Sequence, residues 1–514
     1  MIENNVAHYK ILRNETKAPD LLARDSVARR RPRKSIDSIA VLPLINSSGD
    51  SDVDYFSDGI TDSLINSLSR IPKLRVMARS TVLRYRDGDL DPRKVGLDLN
   101  VRAVITGRMR KVRNRFFIGA EMVDVADGSR LWGAQFDGGL LDAFSLQDQI
   151  SRDIEETLRL KLNSGEKRSL AKPDTARIVA QDLYLKGRYH SSKWTRHGLG
   201  EAIACYEQSL AIDPHSAAVY SALGAAYSVQ AYFCSDPVKT RAAVLKAKAC
   251  AERALELDPA FPEAHLLAAN IAHVHDWEWS LAEEEFKLTL ELEPNLADAH
   301  ACYALFLMDQ CQFESAQQEM ETALELDALS LAANTAAGVL FFSAGRCGDA
   351  ISQLKGALEL DCVVPISEFD PTYHLSHELL GASLESEQNN EAAVAAYLKL
   401  FSGRTKDEEM TSTLRSAFVE SGMSGFWRMF AEIADEIAER RVITPIFAAT
   451  IFARLGETDS ALVWLEKALS ERTPGLTHIN ADPRFEKLHS HPRFLDVVRR
   501  IGLSTPNRIS SERN

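Results

Sequence analysis

The chain has 514 residues, of which 45% are hydrophobic and 26% are charged, and its formal net charge is −13. This composition is that of an ordinary globular protein, and no run of about 18 to 20 apolar residues predicts a membrane span. The acidic excess lies mainly in the C-terminal two thirds, which argues against nucleic acid as a partner and favours neutral, apolar or basic ones. An equally good explanation is that the negative charge keeps a large helical array soluble.

The N-terminus (MIENNVAHYK) has no apolar run behind a basic start, so it predicts no signal peptide. Seven scattered cysteines without a C-x-x-C pair are typical of a reducing compartment. We therefore expect a cytoplasmic location and no disulfide framework.

Residues 1–36 form a predicted basic, flexible N-terminal segment that includes ARRRPRK (Ala28–Lys34). Such a run binds phosphates or an acidic partner in some proteins. It lacks the interleaved aromatic residues that would stack on bases, so we expect a solvated linker. Binding to nucleic acid remains an alternative hypothesis.

Residues 37–165 alternate between strand and helix patterns. SIAVLPL reads as a buried strand, DYFSDGITDSLINSLSRI as a helix and LRVMARS as a second strand. A short helix (RKVGLDLN) precedes three strands with turns at 113–114 and 127–128, and LQDQISRDIEETLRLKL closes the segment as an amphipathic helix. This order predicts a compact α/β domain.

The stretch Asp50–Thr61 carries alternating aspartates that could be taken for a calcium loop. Such a loop requires glycine at its sixth position and glutamate at its twelfth, where this chain has Tyr55 and Thr61. We expect a polar loop whose acidic groups favour the positive end of the next helix.

After a predicted linker (166–179), a motif recurs at a fixed period from residue 180 to about residue 472. RALELDP, TLELEP, ALELDA and ALELDC end at Pro259, Pro294, Ala328 and Cys362, with steps of 35, 34 and 34 residues. Small residues return at the same place in each unit, which is what two closely packed antiparallel helices require. We count about seven units, some of them degenerate, with a divergent helical pair within residues 402–443.

The stretch HVHDWEW offers His273 and His275 near two acidic side chains. Histidines two apart on a helix face different directions, whereas metal ligands are usually three or four apart. The extra residue of the 35-residue step also lies here. We expect a turn and no metal.

Residues 473–503 are predicted to be capping helices, and residues 504–514 a disordered tail. The doubled sequences DPRF and HPRF (Asp482–Phe485 and His491–Phe494) each provide one phenylalanine to close the open end of the array.

The repeating units resemble tetratricopeptide repeats. Residues 38–137, including SIAVLPLINSSGDSDVDYFSDGITDSLINSLSRIPKLRVMARS, resemble the TolB amino-terminal-like domain of bacterial signalling proteins. Members of that group are fused to serine/threonine kinases, adenylate cyclases or winged-helix domains. HYKIL (His8–Leu12) is similar to the entry segment of such a kinase, but no glycine-rich loop, H-R-D or D-F-G follows it.

The fold class implied by these resemblances is an α/β domain followed by an all-α, right-handed superhelical solenoid. The function implied is a non-enzymatic protein–protein interaction scaffold of a bacterial signalling pathway. One alternative is a regulatory module or remnant of a kinase or cyclase pathway. Another is a protein associated with nucleic acid that resembles a transcription regulator.

In such arrays the first helix of each pair lines the concave side, where a protein or peptide partner binds. The residues expected there are Asn270, His273, Asp298, Leu305, Asp309 and Phe342. Because they are acidic, polar or apolar, an extended basic or apolar segment suits them better than an acidic C-terminus. The equal alternative is that this groove packs on the chain's own N-terminal domain. Homo-oligomerisation is left open.

The sequence contains no G-x-S-x-G, H-E-x-x-H or G-x-x-x-x-G-K motif and no paired-carboxylate arrangement. We therefore expect no catalytic residues, no metal and no cofactor, and no enzymatic activity.

Overall fold

The computed structural model describes residues 36–48, 54–69, 71, 74–86, 91–112, 115–139, 153–154, 175–191, 196–233, 236–361, 371–402, 408–439 and 443–504. The predicted N-terminal segment before residue 36, most of the predicted closing helix and linker, and the predicted tail after residue 504 lie outside these ranges. So do the alternating aspartates Asp50 and Asp52.

The first part of the chain is built on one mixed sheet. Its strands are β1 (Ser38–Val41), β2 (Ile45–Asn46), β3 (Arg75–Val76), β4 (Ala103–Val112), β5 (Arg115–Asp124) and β6 (Arg130–Gly139). The order is β3-β1-β4-β5-β6, with β2 also pairing with β4. β1 runs parallel to β3 and β4, whereas β4, β5 and β6 form an antiparallel meander. The predicted α/β domain is present.

Helices cover both faces of this sheet. Helix α1 (Asp54–Ser69) packs on one face, where the rings of Phe56 and Phe116 lie 5.0 Å apart. Helix α2 (Arg79–Leu83) follows β3, and α3 (Pro92–Asp98) packs on the opposite face. A Cβ at Gly96 would overlap the side chain of Val125, so this glycine allows α3 to approach the sheet closely.

The second part of the chain is an array of antiparallel helix pairs, and the described residues hold seven of them. The pairs are Thr175–Ser191 (α4) with Arg196–Ile212 (α5), Ala217–Phe233 (α6) with Pro237–Leu257 (α7), Pro262–Ile271 (α8) with Trp279–Leu292 (α9), Ala297–Asp309 (α10) with Phe313–Leu326 (α11), Leu331–Ser343 (α12) with Cys347–Asp361 (α13), Pro371–Ser386 (α14) with Asn390–Ser402 (α15), and Pro445–Leu455 (α17) with Thr458–Glu471 (α18). The array begins at Thr175, within the predicted linker. Its right-handed superhelix stays a prediction.

Between the last two pairs lies α16 (Glu408–Glu439), which is broken where Ser421 and Gly422 leave the helical conformation. This is where the sequence predicted a divergent pair. Two 3₁₀ helices (Leu476–Asn480 and Pro483–Leu488) and α19 (Pro492–Arg500) complete the described chain.

Small residues set the spacing within the pairs, as the sequence predicted. Ala269, Ala304, Ala316 and Ala350 are fully buried between helices. A Cβ at Gly338 would overlap Leu354 of the partner helix. Since any larger side chain at these positions would force the helices apart, the periodic alanines and glycines are packing residues.

In the last five of these pairs, the turn between the two helices uses one residue in the left-handed conformation. Its φ is 62° at Trp277, 59° at Cys311, 73° at Gly345, 60° at Gln388 and 76° at Gly456. Only glycine adopts this conformation without a steric cost. Three of the five turns therefore carry local strain. The extra residue of the third unit lies just before Trp277, in a π-helical turn at Ala272–Asp276.

A polar side chain near the start of α8, α10 and α12 ties each unit to the preceding one. His265 contacts the Pro259 carbonyl (2.9 Å) and Glu285 (2.6 Å), and His300 contacts the Pro294 carbonyl (3.0 Å) and Glu319 (2.6 Å). In the next unit Asn334 takes this place. In both histidines one ring nitrogen contacts the turn before the unit and the other contacts the second helix of the same pair.

Within the described ranges, no helix combines the length and the apolar character needed to cross a membrane.

Candidate functional site

The candidate site is the first-helix face, defined here as the face formed by α8, α10, α12 and α14. The face is flanked on one side by the α/β domain. Helix α1 packs against α4, where a Cβ at Gly59 would lie 2.6 Å from Leu185 Cδ1. Asp62 of α1 receives Arg188 of α4 at 3.2 Å and Arg79 at 2.9 Å.

The α/β domain also contacts the turns between units. Asn295 donates to the backbone oxygens of Ser69 (3.3 Å) and Leu74 (3.1 Å). Thr81 donates to the buried carboxylate of Asp327 at 3.0 Å. The hydroxyl and amide bonds fix the domain against the array, so the two parts form one packed body.

The other side of the face is covered by the C-terminal segment (residues 473–503). Trp279 at the start of α9 donates its indole N–H to the Ile501 carbonyl at 2.7 Å. Arg472, which precedes the segment, donates to the His275 carbonyl at 2.6 Å and lies over the Trp277 ring at 4.4 Å. The chain at and after the end of the last helix pair therefore contacts the third pair.

Arg484 attaches the middle of the C-terminal segment to α12 and α14. It donates to Glu378 at 2.7 Å and to Asp482 at 2.6 Å, and its guanidinium lies over the Phe342 ring at 5.4 Å. Burial lowers the pKa of Arg484, but the two carboxylates outweigh burial and raise it. The positive charge is therefore permanent.

Asp309 of α10 lies at the centre of the covered region and holds two histidines. His273 Nε2 lies 2.7 Å from Asp309 Oδ2, and His478 Nδ1 of the C-terminal segment lies 2.6 Å from Asp309 Oδ1. Burial alone would raise the pKa of Asp309, but His478 and His273 lower it to about 2. Burial alone would lower the pKa of His478, but Asp309 and Asp482 raise it. We call these three residues the His-Asp-His triad.

Of the six residues predicted to line a groove, three are buried beneath the chain itself. His273 and Asp309 belong to the triad, and Phe342 lies under Arg484. The chain's own C-terminal segment therefore occupies much of the predicted groove. The sequence alternative named the N-terminal domain as the covering element, whereas the contacts to Asp309 and Phe342 come from the C-terminal segment.

The other three predicted residues stay accessible, and we call them the open patch: Asn270 and Leu305, which are half-buried, and Asp298, which is exposed. Although the Asp298 side chain reaches solvent, the protein around it partly desolvates the carboxylate. With the negative charge of Asp327, this raises the pKa of Asp298 to about 6. Burial and the charge of Asp298 also raise the pKa of Cys302 to about 12, opposed by a hydrogen bond with Asn270. The open patch thus combines the carboxyl group of Asp298 and the amide of Asn270 with the apolar side chain of Leu305.

Two sequence stretches, Asp50–Thr61 and His273–Trp279, resembled metal sites, and the structure places their described side chains in other surroundings. Asp54 accepts from Asn46 at 2.8 Å at the start of α1. His275 is buried, and this burial lowers its pKa to about 4. Within the described ranges, no three side chains of the ligating types come close enough to hold a metal ion.

Sequence reasoning missed the partner of the triad. His478 lies 169 positions from Asp309 and was not singled out. The sequence feature that could have indicated this contact is the density of polar residues in LTHINADPRFEKLHSHPRF. A segment that only caps the end of the array would need apolar side chains, so the polar ones point to further contacts. Phe485 and Phe494 are fully buried, as their doubled motif suggested.

Comparison with known proteins identifies part of the array. The family model described as TPR repeat matches residues 199–230. The chain is 38% identical over 186 residues to putative adenylate cyclase 3 of Rhizobium meliloti, which is 36% of this chain and 32% of that protein. It is 31% identical over 151 residues to the transcriptional regulator HilA of Salmonella typhimurium, covering 29% of this chain and 27% of that protein. The chain thus spans about a third or less of these relatives.

Solved structures of other proteins are also similar in part. Pseudomonas aeruginosa PilF is 20% identical with a TM-score of 0.33, covering 43% of this chain and 91% of that chain. The TPR protein YrrB is 18% identical with a TM-score of 0.27, covering 41% and 97%.

Proposed function

We propose that this chain is a non-enzymatic protein–protein interaction module of a bacterial regulatory pathway. The array of tetratricopeptide-type pairs provides the binding surface, and the α/β domain and the C-terminal segment hold it in one shape. The observation that carries the proposal is an accessible stretch of first-helix face, the open patch, that stays uncovered between these two elements.

The chemistry of the open patch suits a basic or apolar peptide segment. Asp298 supplies a negative charge, Leu305 an apolar contact and Asn270 an amide that can bond a peptide backbone. Because the surrounding helices are already ordered, binding does not require the receptor to fold first.

Site-specific photo-crosslinking tests this proposal. A benzophenone amino acid replaces Leu305 in one protein and Leu281 in a matched control, and both are expressed in the source bacterium. Leu281 lies on the second helix of a pair and is 42% exposed. We expect a specific adduct at position 305 that Asp298→Arg removes. Equal adducts at both positions would contradict binding at the open patch.

The similarity to putative adenylate cyclase 3 favours a second candidate, a regulatory module that acts on a cyclase. Adding the purified chain to a cyclase catalytic domain from the same bacterium would then change the rate of cyclic AMP formation. An unchanged rate over a hundredfold range of chain concentration would exclude this role for the cyclase tested.

A further inference from the structure

A small pocket lies where the α/β domain meets the first three helix pairs, and we call it the junction pocket. Its volume is about 200 Å³. A cavity of about 150 Å³ is large enough to hold benzene, and sites for whole small-molecule ligands begin at roughly 300 Å³. The junction pocket therefore has the size for one side chain or one small alkyl compound. Its described lining includes Gly59, Asp62 and Ser67 of α1, Tyr184 and Arg188 of α4, and Glu263 of α8.

Two of the three charged side chains in this lining belong to a balanced network of charges. Arg188 lies 3.2 Å from Asp62 and also acts electrostatically on Asp298. Asp62 in turn lies 2.9 Å from Arg79. The whole network alternates three carboxylates with three guanidinium groups: Asp298, Arg188, Asp62, Arg79, Asp58 and Arg86.

The third charged side chain, Glu263, stands outside this network. Glu263 is the second residue of α8 and is half-buried. Its Oε2 is shielded from solvent, and within the described part of the chain no group donates a hydrogen bond to this oxygen. Burying a carboxylate oxygen without a donor is unfavourable. A ligand that brings both a positive charge and N–H donors would remove this cost.

The rest of the lining suits an alkyl chain that ends in a primary ammonium group. Ser67 and Gln181 have further acceptor oxygens for the three N–H donors of an ammonium group. Leu185, Ala218 and Phe261 have apolar surface for its methylene groups. The unpaired carboxylate would repel an anion, and a neutral ligand would leave its charge uncompensated.

We propose that the junction pocket binds a primary ammonium group on a short alkyl chain, with the ammonium group against Glu263. Two sources carry this chemistry: a free alkylamine and the lysine side chain of a protein partner. The second source rests on the proposed function. Because Arg188 lines the pocket and also acts on Asp298 of the open patch, a basic segment bound at the patch has a lysine site close by.

The test measures binding of n-pentylamine to the full chain by saturation-transfer NMR at pH 7, where the amine is protonated. Pentan-1-ol has the same length without the charge, and we expect it to bind at least about tenfold more weakly. Glu263→Gln should weaken amine binding about tenfold, because a charge-assisted hydrogen bond becomes a neutral one. Glu284→Gln removes an equal charge from an exposed position of α9 and should leave the affinity unchanged. Ala218→Leu places a larger side chain in the lining and should abolish binding.

A second probe separates the two sources of the ammonium group. Nα-acetyl-lysine N-methylamide carries a lysine side chain between two peptide bonds. Tighter binding of this probe than of n-pentylamine identifies a lysine of a peptide as the ligand. Equal or weaker binding identifies a free alkylamine.

Three results would overturn the proposal: no amine binding, equal affinity for the amine and the alcohol, or unchanged amine affinity in Glu263→Gln. Amine binding that survives Ala218→Leu lies outside the pocket and overturns it as well. Circular dichroism checks the fold of each variant, and Ser67→Leu replaces Ala218→Leu if the latter does not fold. None of these measurements involves a partner, so a negative result is distinct from failure of the crosslink at Leu305.

Discussion

Replacing Asp309 with asparagine tests whether the triad holds the C-terminal segment in place. The change keeps the side-chain volume but removes the charge that both His273 and His478 contact. A hydrogen bond to a charged group contributes roughly 1.5 to 3 kcal/mol and a neutral one roughly 0.5 to 1.5 kcal/mol. Across two bonds, Asp309→Asn should therefore cost about 2 to 3 kcal/mol.

The pH dependence of this loss follows from the two pKa shifts. The folded state raises the pKa of His478, so its contribution is complete below the unfolded value of about 6.5 and is lost as pH rises through the folded value. The folded state lowers the pKa of Asp309 to about 2, so its contribution is lost only as pH falls from about 4 toward that value. The triad contributes most between about pH 4 and 6.5.

The assay is thermal unfolding of wild type and variant at pH 5.5 and pH 8.5. At an unfolding entropy of roughly 2 cal/mol/K per residue, a loss of about 2 to 3 kcal/mol corresponds to a fall in melting temperature of roughly 2 to 3 °C for a body of this size, and we expect the larger fall at pH 5.5. Buried histidines such as His275, whose pKa is lowered to about 4, give the stability of the protein the opposite pH dependence. Wild type and variant share these histidines, so their effect cancels in the difference between the two melting temperatures. Asp459→Asn, whose side chain is 93% exposed, is the matched control. Equal falls at both pH values would refute the reasoning.

Three further predictions concern the array. Cys311→Gly relieves a left-handed turn (φ 59°) and should stabilise the protein by about 0.5 to 1 kcal/mol, whereas Gly345→Ala (φ 73°) should destabilise it by about 1 kcal/mol in denaturant unfolding. Phe485→Ala empties a fully buried site and should cost about 3 to 5 kcal/mol, against a negligible change for Leu97→Ala at a 69% exposed site; equal effects would contradict the packing. His300→Ala should cost about 1 to 3 kcal/mol and speed hydrogen exchange in α10, and unchanged exchange would argue against its tie to the preceding unit.

The helix pairs were predictable because their cause is local. A small residue every 34 or 35 positions, as at Ala269, Ala304 and Gly338, is needed wherever two helices cross closely. The strands were predictable for the same reason, since β4 and β5 alternate across a short turn and pair in register over their full length. Both signals extend over fewer than 40 residues.

The covering of the first-helix face was not predictable in the same way. Asp309 and His478 meet because the C-terminal segment packs back on the third and fourth helix pairs, where Arg472 also contacts the His275 carbonyl. No single unit encodes this contact between distant parts of the chain. Thr81 and Asp327, 246 positions apart, meet through docking of the α/β domain, which the sequence offered only as an alternative.

The buried surface of the C-terminal segment bears on where the proposed partner would bind. Phe485, Phe494, Val497, Val498 and Ile501 are all nearly or fully buried. Exposing five such side chains costs roughly 1.5 to 3 kcal/mol each, or about 7 to 15 kcal/mol in total, before the triad and Arg484 are broken. A partner of micromolar affinity supplies only about 8 kcal/mol. Displacement of the segment would consume nearly all of that free energy or exceed it, so we infer that a partner binds beside the segment, at the open patch, and leaves the triad intact.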